Sequence, residues 1–148
     1  MELRMNYRSV NPEALKAMLG LEQWIQNSGL DRKLYDWIKL RASQINGCSY
    51  CIDTHSKDLI SMGESVEKVM LLTAWREAPQ FSEKERAVLE LTECVTRLSE
   101  AGVPREVYDR VLAHFDEKQF VDLIMAINAI NSWNRIGVST GMFPGCFS

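Results

Sequence analysis

Cys48-Ser49-Tyr50-Cys51 sets two thiols three residues apart, and His55 follows the second by four. In the first turn of a helix, residues at i and i+3 have α-carbons within disulfide reach, so such a pair can cycle between dithiol and disulfide with little backbone movement. The free backbone donors and positive dipole end of a helix start lower a thiol pKa and raise the thiolate fraction. The step from Cys51 to His55 puts both on one helix face, where the imidazole can take the thiol proton or stabilise the thiolate. The two effects favour different nucleophiles: the helix start favours Cys48 and the histidine spacing favours Cys51. We follow the histidine.

Zinc is the competing chemistry, because thiolates and imidazole are its preferred ligands. A fourth ligand is missing. There is no second CxxC and no HxxxH, Cys94 and Cys146 stand alone, and Asp36 could serve only if the fold brings it close. Cys94 reads as a small buried hydrophobe and His114 as a surface histidine. Tyr50, between the cysteines, either lines the site or packs as an ordinary aromatic.

The elements that must position these residues read as helices almost throughout. Asn11-Pro12 is an N-cap with proline at the first helical position, followed by an apolar stripe of Ala14, Leu15, Met18, Leu19, Leu21 and Ile25 up to Gly29. A second helix is expected from about Asp31 to Gln44, with Leu34, Trp37, Ile38 and Leu40 inward, closed by Asn46-Gly47. The cysteine motif opens the third, which continues through Ile52, His55, Leu59 and Met62 to Gly63. One further helix is expected to carry Val66, Val69, Met70, Leu72 and Trp75 before Pro79. Ser82 to Glu85 is a capping box leading a helix with Ala87, Val88, Leu91, Val95 and Leu98 on its buried side, ended by Gly102-Val103-Pro104. A short helix around Arg105 to His114 precedes a second capping-box pattern, Asp116 to Gln119, which leads into Phe120, Leu123, Ile124, Ile127, Ile130 and Trp133. No alternating strand pattern, linker, repeat or low-complexity stretch is visible. The expectation is an all-α single domain over residues 1–148, with a core from about 11 to 138 and an irregular tail over 139–148.

Composition excludes several classes of function. The 148 residues suffice for one sizeable core, and 46% hydrophobic with 25% charged residues is ordinary for a soluble protein. No apolar run approaches the roughly 20 residues that cross a bilayer. A net charge of -3 with mixed signs gives no basic footprint for nucleic acid. The first residues, MELRMNYRSVNPEALKAM, lack an apolar stretch followed by a small-residue cleavage site, so a cytoplasmic protein with reduced thiols is expected. Ile124, Met125, Ala126, Ile127, Ala129 and Ile130 make the last helix apolar on more than one side, which calls for cover all round and predicts a homo-oligomer.

The stretches KLRASQINGCSYCIDTHSKDL, LLTAWREAPQFSEKERAVLELTECVT and INSWNRIGV resemble the AhpD-like alkylhydroperoxidase branch of the carboxymuconolactone decarboxylase family over roughly residues 15 to 138. That family's pattern is a glutamate, then CxxC, then a histidine four residues after the second cysteine. The resemblance implies Cys51 as peroxidatic thiol, Cys48 as resolving thiol and His55 in a proton relay to a carboxylate on the preceding helix. It further implies an all-helical fold, trimers or hexamers, a hydroperoxide substrate, an external dithiol reductant, and no bound metal, haem or flavin. One position departs: twelve residues before the first cysteine this chain has Asp36, one methylene shorter than glutamate. A relay through water could absorb that difference, whereas a direct contact from Asp36 to His55 should be longer and weaker. Two alternatives remain, a decarboxylase-like enzyme, whose lactone chemistry needs no cysteine pair, and a non-enzymatic redox-sensing oligomer.

Overall fold

The computed structural model describes the whole chain, residues 1–148. Its helices are α1 (Tyr7–Val10), α2 (Pro12–Asn27), α3 (Arg32–Asn46), α4 (Ser49–Ser61), α5 (Val66–Met70), a 3-10 segment (Leu71–Glu77), α6 (Glu83–Thr96), α7 (Leu98–Ala101), α8 (Arg105–Leu112) and α9 (Glu117–Thr140), with no strands. The starts are fixed by local chemistry. Asn11 Oδ1 accepts from the Ala14 N–H ahead of Pro12, and Ser82 and Asp116 head full capping boxes in which Glu85 and Gln119 reach back to the cap N–H. Gly47, at φ 69°, takes the left-handed conformation that ends α3 and lets the chain turn directly into α4.

α3 is the central element, packed against α4, α6 and α9. Helical periodicity gives it three faces. Leu34, Ile38 and Ala42 enter the main core with Val88 and Leu91 of α6, Val111 of α8 and Ile127 and Ile130 of α9. Trp37 and Leu40 enter a second cluster with Leu59 of α4, Leu72, Trp75, Phe81 and Leu89. The third face carries Asp36, Lys39 and Ser43, and Asp36 is only 4% exposed. Such buried polar groups need partners. Asn134 Nδ2 donates to Ser43 Oγ at 2.9 Å, and Asn46 Nδ2 donates to the side-chain oxygens of Asn131 and Asn134 at 2.9 Å each. This amide cluster fastens the end of α3, and hence the start of α4, to α9.

Four expectations change. The stripe on α2 is mostly half-buried: of its six residues only Ile25 is fully buried, Ala14, Leu15, Met18 and Leu21 are partly covered, and Leu19 is exposed. The single helix expected over Val66 to Trp75 is α5 followed by the 3-10 segment, with Ala74 at non-helical φ -119°, ψ 34°. α6 stops at Thr96, so Leu98 belongs to α7 and is exposed. Finally, the chain itself buries Ala126, Ile127, Ala129 and Ile130 of α9 and half-covers Ile124 and Met125, so that this helix finds most of its cover without a second subunit. No helix is long and apolar enough to cross a membrane.

Candidate functional site

Cys48 is the N-cap of α4, and its Sγ accepts from the Cys51 N–H at 3.3 Å. The two sulfurs are joined in a disulfide, with the α-carbons 5.3 Å apart, while Cys94 and Cys146 are free. The pair is buried, Cys48 to 2% and Cys51 to 5% exposure. α9 covers it at Gly137, where an added Cβ would lie 3.1 Å from Cys48 Sγ and 3.8 Å from Cys51 Sγ. A side chain there would crowd Cys48 Sγ, since 3.1 Å is tighter than an ordinary van der Waals contact.

The two sulfurs face different surroundings. Cys51 opens on a cavity of about 260 Å³ walled by Tyr7, Leu15, Leu19, Trp133 and Met142, with Arg8, Glu22, Lys39, Tyr50, Thr54 and His55 as its polar members. Cys48 lies instead against a recess formed by the N-terminal residues, Gly141 and Met142. Tyr50 therefore does line the site. Its hydroxyl accepts from Arg8 at 3.4 Å, its ring meets Phe147 edge-on, and the Arg8 guanidinium lies 4.0 Å over the Phe147 ring. The N-terminal helix and the C-terminal tail so meet beside the cavity.

Behind His55 stands a group of charges. Its Nδ1 lies 3.5 Å from Asp36 Oδ1 and 3.3 Å from Asp58 Oδ2. These are ion-pair separations; Asp36 Oδ1 and His55 Nδ1 are both buried without a hydrogen-bond partner. The long contact expected of the shorter aspartate is what is found. Burial works against an imidazolium here, but the two carboxylates outweigh it and hold the His55 pKa above its ordinary value of 6.5. Contact with His55 in turn holds Asp58 below the usual carboxylate range. Lys39 Nζ sits 3.5 Å from Asp36 Oδ1 and 4.0 Å from Glu22 Oε2. Glu22 also accepts from the Tyr35 hydroxyl at 2.8 Å and Trp133 Nε1 at 2.9 Å. Burial first, and then Glu22, push the Tyr35 hydroxyl far above its ordinary pKa, so it stays a neutral donor.

The structure thus brings Cys48, Cys51, His55 and Asp36 together and leaves Cys94 half-buried, Cys146 in the tail and His114 at the surface. Sequence reasoning missed Asp58, Glu22, Lys39, Arg8 and Gly137. Asp58 carried a signal, since i+3 from His55 is the same helix face. Glu22, Arg8 and Gly137 reach the site through tertiary packing alone. Chemically, the arrangement offers a reversible thiol pair, one member of which meets a mostly apolar, partly open cavity beside an imidazole backed by carboxylates.

The profile of the Carboxymuconolactone decarboxylase family matches residues 12–93. The chain is 43% identical over 141 residues to the uncharacterized protein YdfG of Bacillus subtilis, covering 95% of this chain and 96% of that one. It is 40% identical to the alkyl hydroperoxide reductase AhpD of Coxiella burnetii over 53 residues, or 34% of this chain and 30% of AhpD. A crystal structure from Agrobacterium tumefaciens, of a protein of unknown function described provisionally as the antioxidant defence protein AhpD, superposes with TM-score 0.93 at 42% identity, covering 97% of this chain and 99% of that one. The debrominase Bmp8 shares the fold at TM-score 0.82 and 21% identity, with 93% of this chain and 75% of that one covered. With the profile spanning more than half of the chain and a relative of 43% identity aligned over nearly its whole length, the chain belongs to the carboxymuconolactone decarboxylase family.

Proposed function

We propose that this protein is a thiol peroxidase that reduces organic hydroperoxides through Cys51 and Cys48 and is reset by an external dithiol. The observation that carries this reading is the asymmetry of the pair: Cys51 shares the apolar cavity with His55, whereas Cys48 faces away from it. His55 Nδ1 is taken up by Asp36 and Asp58, which leaves Nε2 as the nitrogen for the Cys51 proton. The Cys51 thiolate attacks the distal oxygen of the hydroperoxide, the O–O bond breaks, and the alkoxide takes a proton from the imidazolium to leave as alcohol. Cys51 is then a sulfenic acid. Cys48 attacks its sulfur, water leaves, and the disulfide seen in this structure results. A dithiol returns both thiols by exchange.

The resemblance to AhpD supports the reaction class, and the mostly apolar walls of the cavity support an alkyl or aryl substrate over hydrogen peroxide. An intact cysteine pair at the cavity weighs against lactone decarboxylation, which has no use for one. The test is a steady-state assay with dithiothreitol as reductant and cumene hydroperoxide or hydrogen peroxide as oxidant. Turnover is expected with both, with the larger kcat/KM for the organic peroxide. Cys51→Ser should abolish it, and His55→Ala should lower it by about 10²–10⁴-fold, the usual contribution of a positioned base. Disulfide formation without turnover would instead make the protein a redox-sensing module.

A further inference from the structure

We propose that Asp36, His55 and Asp58 form a binding site for one zinc-class divalent cation, and that its occupancy switches off the thiol chemistry proposed above. The switch rests on that proposed function; the site does not.

Distances make the first case. The ligand-capable atoms of these three residues all lie within 4.8 Å of one another. The two contacts to His55 Nδ1, 3.5 and 3.3 Å, are long for hydrogen bonds. They match donor atoms sharing an ion: with bonds of about 2.0–2.1 Å, the edge of a tetrahedron around zinc is about 3.4 Å. Two of these atoms, Asp36 Oδ1 and His55 Nδ1, are buried with no hydrogen-bond partner, a costly state that a cation would relieve.

Charge and access make the second. Glu22, Asp36 and Asp58 are carboxylates around a single contacting cation, Lys39, which leaves two negative charges when His55 is neutral. Lys39 lies against Asp36, but it is held from the other side by Glu22 and by the Tyr35 ring, 3.9 Å from Nζ. Asp58 is half-exposed, which gives an ion an entry path and leaves its fourth position open to water. Two carboxylates and an imidazole suit zinc and its first-row neighbours, whereas magnesium and calcium prefer all-oxygen sets. Neither cysteine takes part, and the site is distinct from a CxxC zinc centre.

The consequence for the thiols follows from the tautomer. A metal on Nδ1 requires a neutral ring with its proton on Nε2, so His55 has no lone pair left for the Cys51 proton. The cation displaces the Nδ1 proton to solvent, and no electron moves.

The test uses the full chain with Cys94→Ser and Cys146→Ser, oxidised to the Cys48–Cys51 disulfide so that no thiolate can bind metal. Calorimetric titration with zinc chloride should give one saturable site per chain, with no competition from magnesium. Asp58→Asn, at a half-exposed position where the fold is retained and checked by circular dichroism, should weaken binding at least tenfold. No saturable binding, or equal affinity in Asp58→Asn, overturns the site. In the reduced protein, zinc should slow Cys51 alkylation and peroxide turnover, and Asp58→Asn should be resistant. Equal inhibition in Asp58→Asn overturns the switch. Asp58-dependent binding in a protein devoid of peroxide turnover upholds the site and removes the peroxidase reading with its switch.

Discussion

Asp36 Oδ1 and His55 Nδ1 are separated by 3.5 Å, longer than a good hydrogen bond. Asp36→Glu adds the methylene that would shorten the reach to His55 and should maintain or raise turnover, whereas Asp36→Asn should lower it, though less than His55→Ala. Rates of peroxide consumption and of Cys51 alkylation check this; equal rates in all three variants would remove the relay. The same group of charges governs stability against pH. The folded His55 pKa is raised, so its stabilising contribution is complete below 6.5 and is lost as pH rises through the folded value. Asp58 is depressed, so its contribution is present above 3.8 and is lost as pH falls through its lower folded value. Urea midpoints in chelator should therefore decline on the alkaline side of 6.5, and His55→Ala should flatten that decline. At this scale Cys48, Cys51 and His55 were legible from spacing alone, whereas Asp58, one turn on from His55 along the same helix, was overlooked although the same spacing rule reaches it. Asp36 came from a family resemblance, and Glu22 and Arg8 had no local signal because tertiary packing brings them in.

Between elements, the decisive contact is that of α9 with the start of α4. Gly137→Ala places a methyl group 3.1 Å from Cys48 Sγ in a site already closed. Overpacking of this kind costs about 1–3 kcal/mol. Combining it with Cys48→Ala, which removes the sulfur, should recover much of that loss, and non-additivity in a double-mutant cycle by denaturant unfolding would measure it. Helix starts were legible from their caps, because capping is a local bargain between a side chain and three N–H groups. The 3-10 segment was not recognised: only Leu72 and Trp75 within it are buried, and that single spacing of three fits the wider helical template as well. The partial burial of α2 could not be inferred from its stripe, since the stripe does not say how far a neighbour covers it.

For the whole molecule, all-helical architecture followed from periodicity because nearly every segment repeats at the helical period. What periodicity could not supply was the order of packing, with α3 at the centre and its three faces assigned to two cores and a site. We propose a homo-oligomer, now on different grounds from those given by α9. Val10, Leu19 and Trp24, on α1 and α2, remain exposed, and Leu19 also walls the cavity; large apolar side chains left at the surface are of the kind that a second copy of this chain would cover. Sedimentation should show a species larger than 17.0 kDa, and Trp24→Glu should shift it toward the monomer. A monomer at every concentration would remove the assembly.

The fastening of α3 to α9 through Asn46, Asn131 and Asn134, with Gly137 seated on the sulfurs, also bears on biogenesis. During synthesis the cysteine pair leaves the ribosome long before α9 exists, and contacts so distant in sequence close late. Until then the thiols have neither a cavity to select a substrate nor a helix to cover Cys48. Whatever selectivity the cavity gives Cys51 is thus acquired by the nascent chain only at its last helix, and an incomplete chain would carry the same two thiols as unguarded, general targets of oxidation.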